Sequence, residues 1–157
     1  MNELRSTIYE LLVKAEEAYG TQDAIRYKVK SAGESGKKET KVEARTYTQL
    51  RQDSERFSAA LSGLGEQGKH IALVGATSYS WITAYYGIVN GGSVAVPLDA
   101  NLSDEDLCEL IDRADVTTLI YDGSKESTAV MAAEKCPKLV HIIAMEAGTR
   151  IFYLCGI

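Results

Sequence analysis

Apolar residues recur along this chain with two different periods, and the change of rhythm near residue 70 organises the whole reading. Leu4, Ile8, Leu11, Leu12 and Ala15 lie at helical spacing, so Glu3 to Tyr19 reads as a helix that Gly20 closes. Ile25, Tyr27 and Val29 then alternate with polar neighbours, as in a half-buried strand. Val42 and Ala44 begin a second strand beyond a Gly/Ser/Lys loop, which predicts a hairpin. Thr46 followed by Gln49 is a capping box that opens a helix to about Leu64. Its inward stripe is expected to be Leu50, Phe57, Ala60, Leu61 and Leu64.

From residue 70 strands and helices alternate regularly. His70 to Gly75 is a continuous apolar strand, Ser78 to Asn90 a helix with Trp81, Ile82, Tyr85, Ile88 and Val89 inward, and Ser93 to Pro97 the next strand. Ser103 caps a helix over residues 104–114, whose opening Asp104, Glu105 and Asp106 complement the positive end of the helix dipole. Thr117 to Tyr121, a helix near Ser124 to Lys135 and a strand from Leu139 to Ala144 follow. Near-continuous apolar strands separated by helices predict a doubly wound α/β layer: a mostly parallel sheet with helices on both faces. Trp81, Tyr85 and Ile88 are expected against a sheet face carrying Ile71, Leu73, Val94 and Val96.

A length of 157 residues fits one domain, able to take roughly 70% of its unfolded surface out of water. The expected division is an N-terminal helix and hairpin over 1–45, the α/β layer over 46–145 and an apolar tail over 146–157. That tail, Ile151-Phe152-Tyr153-Leu154-Cys155-Gly156-Ile157, is apolar to its last residue, where domains usually end in polar, frayed chain. The expectation is a larger protein that continues past it. No apolar run approaches the about 20 residues of a membrane span, and Met1-Asn2-Glu3-Leu4-Arg5 does not open a secretion signal. Cys108, Cys136 and Cys155 form no CxxC pair, so buried thiols in a cytoplasmic setting are expected.

Charge is uneven. The net charge is −5, made of +1 over residues 1–69 and −6 over residues 70–157. An acidic second half argues against nucleic acid as a partner, since phosphate contacts dominate that binding. The lysines between Arg26 and Arg45 sit around the hairpin loop, where they keep it solvated.

No residue in the sequence is assigned a catalytic, cofactor-binding or metal-ligating role. Gly63-Leu64-Gly65-Glu66-Gln67-Gly68 satisfies G-x-G-x-x-G, yet a helix precedes it and a strand follows. Pyrophosphate binding needs the reverse order, with a helix N-terminus after the glycines. Gly65 reads instead as the residue that ends a helix in left-handed geometry, with Gly68 in the turn to the strand. His70 and His141 have no second ligand at metal spacing and read as packing residues. Ser78 and Ser80 lack a nucleophile elbow, and the Trp81/Tyr85/Tyr86 cluster has the spacing of a helix core.

Several longer words are more specific in combination. Thr46-Tyr47-Thr48-Gln49-Leu50 opens a helix, and Ala59-Ala60-Leu61 to Gly65 leads to His70-Ile71-Ala72-Leu73-Val74. A Trp81 helix then precedes Gly91-Gly92-Ser93-Val94-Ala95-Val96-Pro97-Leu98-Asp99, and a strand ends in Asp122. Over about residues 20–145 this order resembles the adenylate-forming superfamily, specifically its acyl-CoA synthetases of the long-chain-fatty-acid–CoA ligase kind. The N-x-x-E-W of that family is Ser78-Tyr79-Ser80-Trp81 here. Its Ser/Thr/Gly-rich phosphate loop, ribose-binding Asp and catalytic Lys have no counterpart in these residues.

The resemblance implies fatty acid metabolism and an AMP-forming ligation in the parent enzyme: a carboxylate attacks Mg-ATP, giving acyl-AMP and pyrophosphate, and coenzyme A then displaces AMP. ATP, Mg and CoA belong to that parent, and none is expected to bind this chain, which reads as an inactive N-terminal fragment. Its expected partners are the missing remainder of the ligase or a second copy joined through an exposed apolar face. Two other readings stay open, a free-standing α/β module that pairs with a separate partner and a small Rossmann-type oxidoreductase.

Overall fold

Short polar side chains decide where the helices begin. In the computed structural model, which describes residues 7–32, 38–145 and 151–153, Thr7 caps α1 (Ile8–Tyr19). Its hydroxyl accepts from the Glu10 amide at 3.2 Å, and the Glu10 carboxylate accepts from the Thr7 amide at 2.9 Å. This reciprocal pair starts the described helix at Ile8; residues 3–6 of the expected helix lie outside the described residues. Thr46 and Gln49 make the same exchange at the start of α2 (Tyr47–Gly63). Ser78 caps α3 (Tyr79–Asn90), and Ser103 caps α4 (Asp104–Arg113) with its three acids in the first turn. A 3-10 turn over Gly123–Lys125 leads into α5 (Glu126–Lys135), which stops before Pro137, a residue with no amide to continue it.

The hairpin is present, with β1 (Asp23–Ala32) antiparallel to β2 (Lys38–Thr46). The main sheet has five strands in the order β4-β3-β5-β6-β7. β3 (His70–Val74), β4 (Val94–Leu98), β5 (Val116–Tyr121) and β6 (His141–Ala144) are parallel. β7 (Ile151–Tyr153) is antiparallel to β6 and forms the edge, so this part of the apolar tail is paired backbone. Residues 154–157 lie outside the described residues.

Helices cover both faces. On one, Ile71, Leu73, Ile88, Ile120 and Ile143 are buried with Leu61 of α2 and Ala84 of α3. On the other, Ala72, Val74, Leu119, Tyr121 and Ile142 pack with Leu107 and Ile111 of α4 and Ala129 and Ala132 of α5. Each buried Ile or Leu contributes about 1.5–3 kcal/mol of transfer free energy. The register corrects one expectation. His70 lies beside Val94 and Ile71 beside Ala95, so Ala95, not Val94 or Val96, shares the α2/α3 face. Val94 is 47% exposed, and Val96 packs against the α4/α5 core. A shift of one residue in a strand exchanges its faces.

The helix stripes differ from expectation in the same spirit. Ala60 is exposed and Ser54 is buried in its stead, its hydroxyl donating to Leu50 O at 2.7 Å. In α3 the buried positions are Ala84, Gly87 and Ile88, while Trp81 and Tyr85 are half-buried and stack with ring centroids 5.7 Å apart. Small residues line this seam because the helices approach closely: a Cβ on Gly87 would stand 2.8 Å from the Phe57 ring and 3.0 Å from Ser54 O.

Candidate functional site

The four parallel strands place their C-terminal ends on one rim, called upper here, and their N-terminal ends on the lower rim. In sheets of this architecture ligands meet the upper rim, at the point where consecutive connections leave in opposite directions. That point falls between β3 and β5, since the chain passes from β3 to β4 on one side and returns to β5 on the other. The loop after β3 begins with Gly75 and Ala76, and the loop after β5 begins with Asp122. The Ala76 amide donates to Asp122 Oδ2 at 2.5 Å, and the Ser124 amide donates to Oδ1 at 3.0 Å. The Ser124 hydroxyl donates to the same Oδ1. Gly75 has φ +145°, and a Cβ there would lie 2.6 Å from the Asp122 carboxylate. Only glycine accepts both the backbone conformation and the contact.

Beside this junction a cavity of about 360 Å³ opens between α2, α3 and the ends of β5 and β6. Phe57, Ala84, Ile120 and Ile143 give it apolar walls, with Asp53 and Tyr79 among the polar groups lining it. Tyr79 OH donates to Asp53 Oδ2 at 2.7 Å, and Arg56 pairs with Asp53 Oδ1 at 2.9 Å. Burial, followed by the bond to Asp53, raises the Tyr79 phenol well above its ordinary range. The Tyr79 ring stacks on Tyr27 at 5.7 Å, and the Arg45 guanidinium lies 5.6 and 5.5 Å from the Tyr27 and Tyr79 centroids. Tyr27 OH donates to Glu43 at 3.1 Å. This cation–π clasp fastens the hairpin to the start of α3.

The lower rim holds a second carboxylate that sequence reasoning missed. Glu66 is 4% exposed. His141 Nδ1 donates to its Oε1 at 3.0 Å, and Thr117 Oγ1 donates to Oε2 at 2.5 Å. Ser93 Oγ donates to the Glu66 carbonyl at 2.8 Å. The G-x-G-x-x-G turn and His141, read separately in the sequence, therefore meet. The turn itself behaves as expected: Gly65 has φ +77°, its amide donates to Ser62 O, and the Glu66 amide donates to Leu61 O, both at 3.0 Å. That Schellman pattern ends α2 and drives Glu66 inward. A Glu in a glycine-rich turn looks solvated in sequence; the one signal of its burial was its place three residues past the helix end, just after the left-handed glycine, where an inward side chain is usual.

The remaining candidates have structural partners. His70 Nδ1 donates to Ala114 O at 2.5 Å, and Ser78 is the α3 cap. Asp104 accepts from Thr128, and hydrogen bonds from Thr128 and Ser127 hold its carboxyl below the usual range. Cys108 and Cys136 are free and buried, the Cys136 thiol donating to Cys108 O at 3.5 Å. Burial pushes Cys136 up to about 11, which keeps it a thiol and a poor nucleophile. Among the described residues no three His, Cys, Asp or Glu side chains gather as a metal site, and no helix is long and apolar enough to cross a membrane.

Known proteins agree with this architecture. The chain is 30% identical over 80 residues to the 3-[(3aS,4S,7aS)-7a-methyl-1,5-dioxo-octahydro-1H-inden-4-yl]propanoyl:CoA ligase of Rhodococcus jostii (strain RHA1), a match covering 50% of this chain and 16% of the relative. Among solved structures, it resembles the adenylation domain of a carboxylate reductase from Mycobacterium chelonae with a TM-score of 0.75 and 21% identity, covering 91% of this chain and 23% of that one. An anthranilate CoA ligase in complex with anthranoyl-AMP matches with a TM-score of 0.74 and 20% identity, over 90% of this chain and 25% of that one. This chain thus spans a quarter or less of these proteins. The profile of the family described as AMP-binding enzyme matches residues 16–151, and the chain belongs to that family.

Proposed function

We propose that this chain is the N-terminal portion of an ATP-dependent, AMP-forming acyl-CoA ligase and that it acts as scaffold, without catalysing the reaction alone. The observation that carries the second half is at the upper rim, where two amides and a hydroxyl of the two diverging loops donate to Asp122. Adenylation builds negative charge on the phosphoryl oxygens, which preorganised donors must meet. Here those donors already hold a carboxylate. The family match supports the first half, as does the CoA ligase relative.

In the parent enzyme a carboxylate and ATP give acyl-AMP and pyrophosphate, and the thiol of coenzyme A releases AMP. The groups that bind ATP, Mg and CoA are assigned to the remainder of the ligase, which is the principal partner of this chain, in the cytoplasm. A second copy is the lesser alternative, through exposed apolar side chains such as Leu11 on α1 or Val130 on α5.

Pyrophosphate exchange into ATP tests the reading. The purified chain is expected to give no exchange above a heat-killed control with fatty or aromatic acids. Exchange clearly above that control would overturn the scaffold assignment.

A further inference from the structure

We infer that Asp122 is a built-in anion: it fills the crevice between β3 and β5 and clamps the two loops there, as a bound small oxyanion would. The inference is independent of the ligase reading, because it stands on the sheet order and on four residues at the upper rim.

A carboxylate at the end of a strand often does something plainer, capping the turn that follows. Asp122 does cap one: Oδ1 accepts from the amide and the hydroxyl of Ser124, two residues on. A cap needs only that oxygen. Oδ2 turns the other way and takes the amide of Ala76, 46 residues earlier and across the switch point of the sheet. One carboxylate thereby accepts three hydrogen bonds from two loops, each strengthened by its charge. Position 75 is cut to fit, since the place of a Cβ lies 2.6 Å from both Cγ and Oδ2 of Asp122. Two neighbouring side chains have other partners. Ser78 Oγ caps α3 by accepting from Trp81 N, and Lys125 Nζ reaches Leu102 O at 3.4 Å.

The ligand class follows from the donors. Two amides and a hydroxyl converging on one charged group suit a planar carboxylate of one or two carbons. While Asp122 is in place these three donors are taken. Removing the side chain leaves a hole of its own shape, with the donors still on the rim.

The test is chemical rescue in the full chain. Amide hydrogen exchange at Ala76 and Ser124 and the thermal midpoint are measured for wild type and Asp122→Ala, in sodium formate and in sodium chloride of equal ionic strength. The variant is expected to exchange at Ala76 about tenfold faster or more, with formate restoring protection and raising the midpoint relative to chloride. Wild type should respond equally to the two salts. Equal responses of wild type and variant to formate, or unchanged exchange at Ala76 in the variant, would overturn the inference. Should Asp122→Ala fail to fold, Asp122→Asn is measured in its place. Its single amide oxygen cannot serve both loops, so exchange at Ala76 or at Ser124 must rise; protection of both at wild-type levels would overturn the inference equally.

Discussion

Glu66 at the lower rim and Asp122 at the upper one are two carboxylates with similar duties and different surroundings. Glu66 is almost wholly buried and reaches side chains, His141 and Thr117, on two neighbouring strands. Asp122 is half-buried and reaches mainly backbone amides of two loops. The lower rim is sealed by side-chain chemistry that only a particular set of residues provides. The upper rim is held by donors that any chain has, made available by one glycine. A rim of the second kind is the easier one to open, because releasing it leaves the core untouched.

The largest test of that contrast is Glu66→Ala. Taking one partner from a buried pair leaves His141 and Thr117 facing an apolar hole, and the expected loss is about 3 kcal/mol in urea denaturation. Glu66→Gln, which keeps an acceptor, should lose clearly less. Equal losses for the two would mean that packing, not hydrogen bonding, seals the lower rim. At the upper rim Gly75→Ala should cost about 2 kcal/mol, from a positive φ and the clash with Asp122 together. In a double-mutant cycle with Asp122→Ala the clash component should vanish and only the backbone component remain. Additive losses would show that the two residues do not meet. Smallest is Ser124→Ala, which removes one of three donors to Asp122 and should cost no more than about 1 kcal/mol by thermal melting.

Local signals were the legible ones. The capping box at Thr46/Gln49 and the cap at Ser103 each lie within four residues, and both form as read. The left-handed ending at Gly65 is equally local. What the sequence hid is long-range. Val94 and Val96 alternate as a strand should, but only the pairing with β3 says which side is which. Ala60 looked apolar and inward, yet the seam between α2 and α3 is filled by Ser54 and Gly87, whose smallness has value only once the two helices are seen together. Asp122 was visible as the end of a strand. Its bond to Ala76, across 46 residues, was not.

One junction described above reaches beyond its own stability. Thr46 is both the last residue of β2 and the cap of α2, so strand passes into helix with no linker between them. The hairpin therefore behaves as a lever whose fulcrum is the first turn of a helix. An added residue at that fulcrum would rotate everything upstream by about 100° and swing Tyr27 and Arg45 away from Tyr79. A change of length is thus ruinous at this pivot.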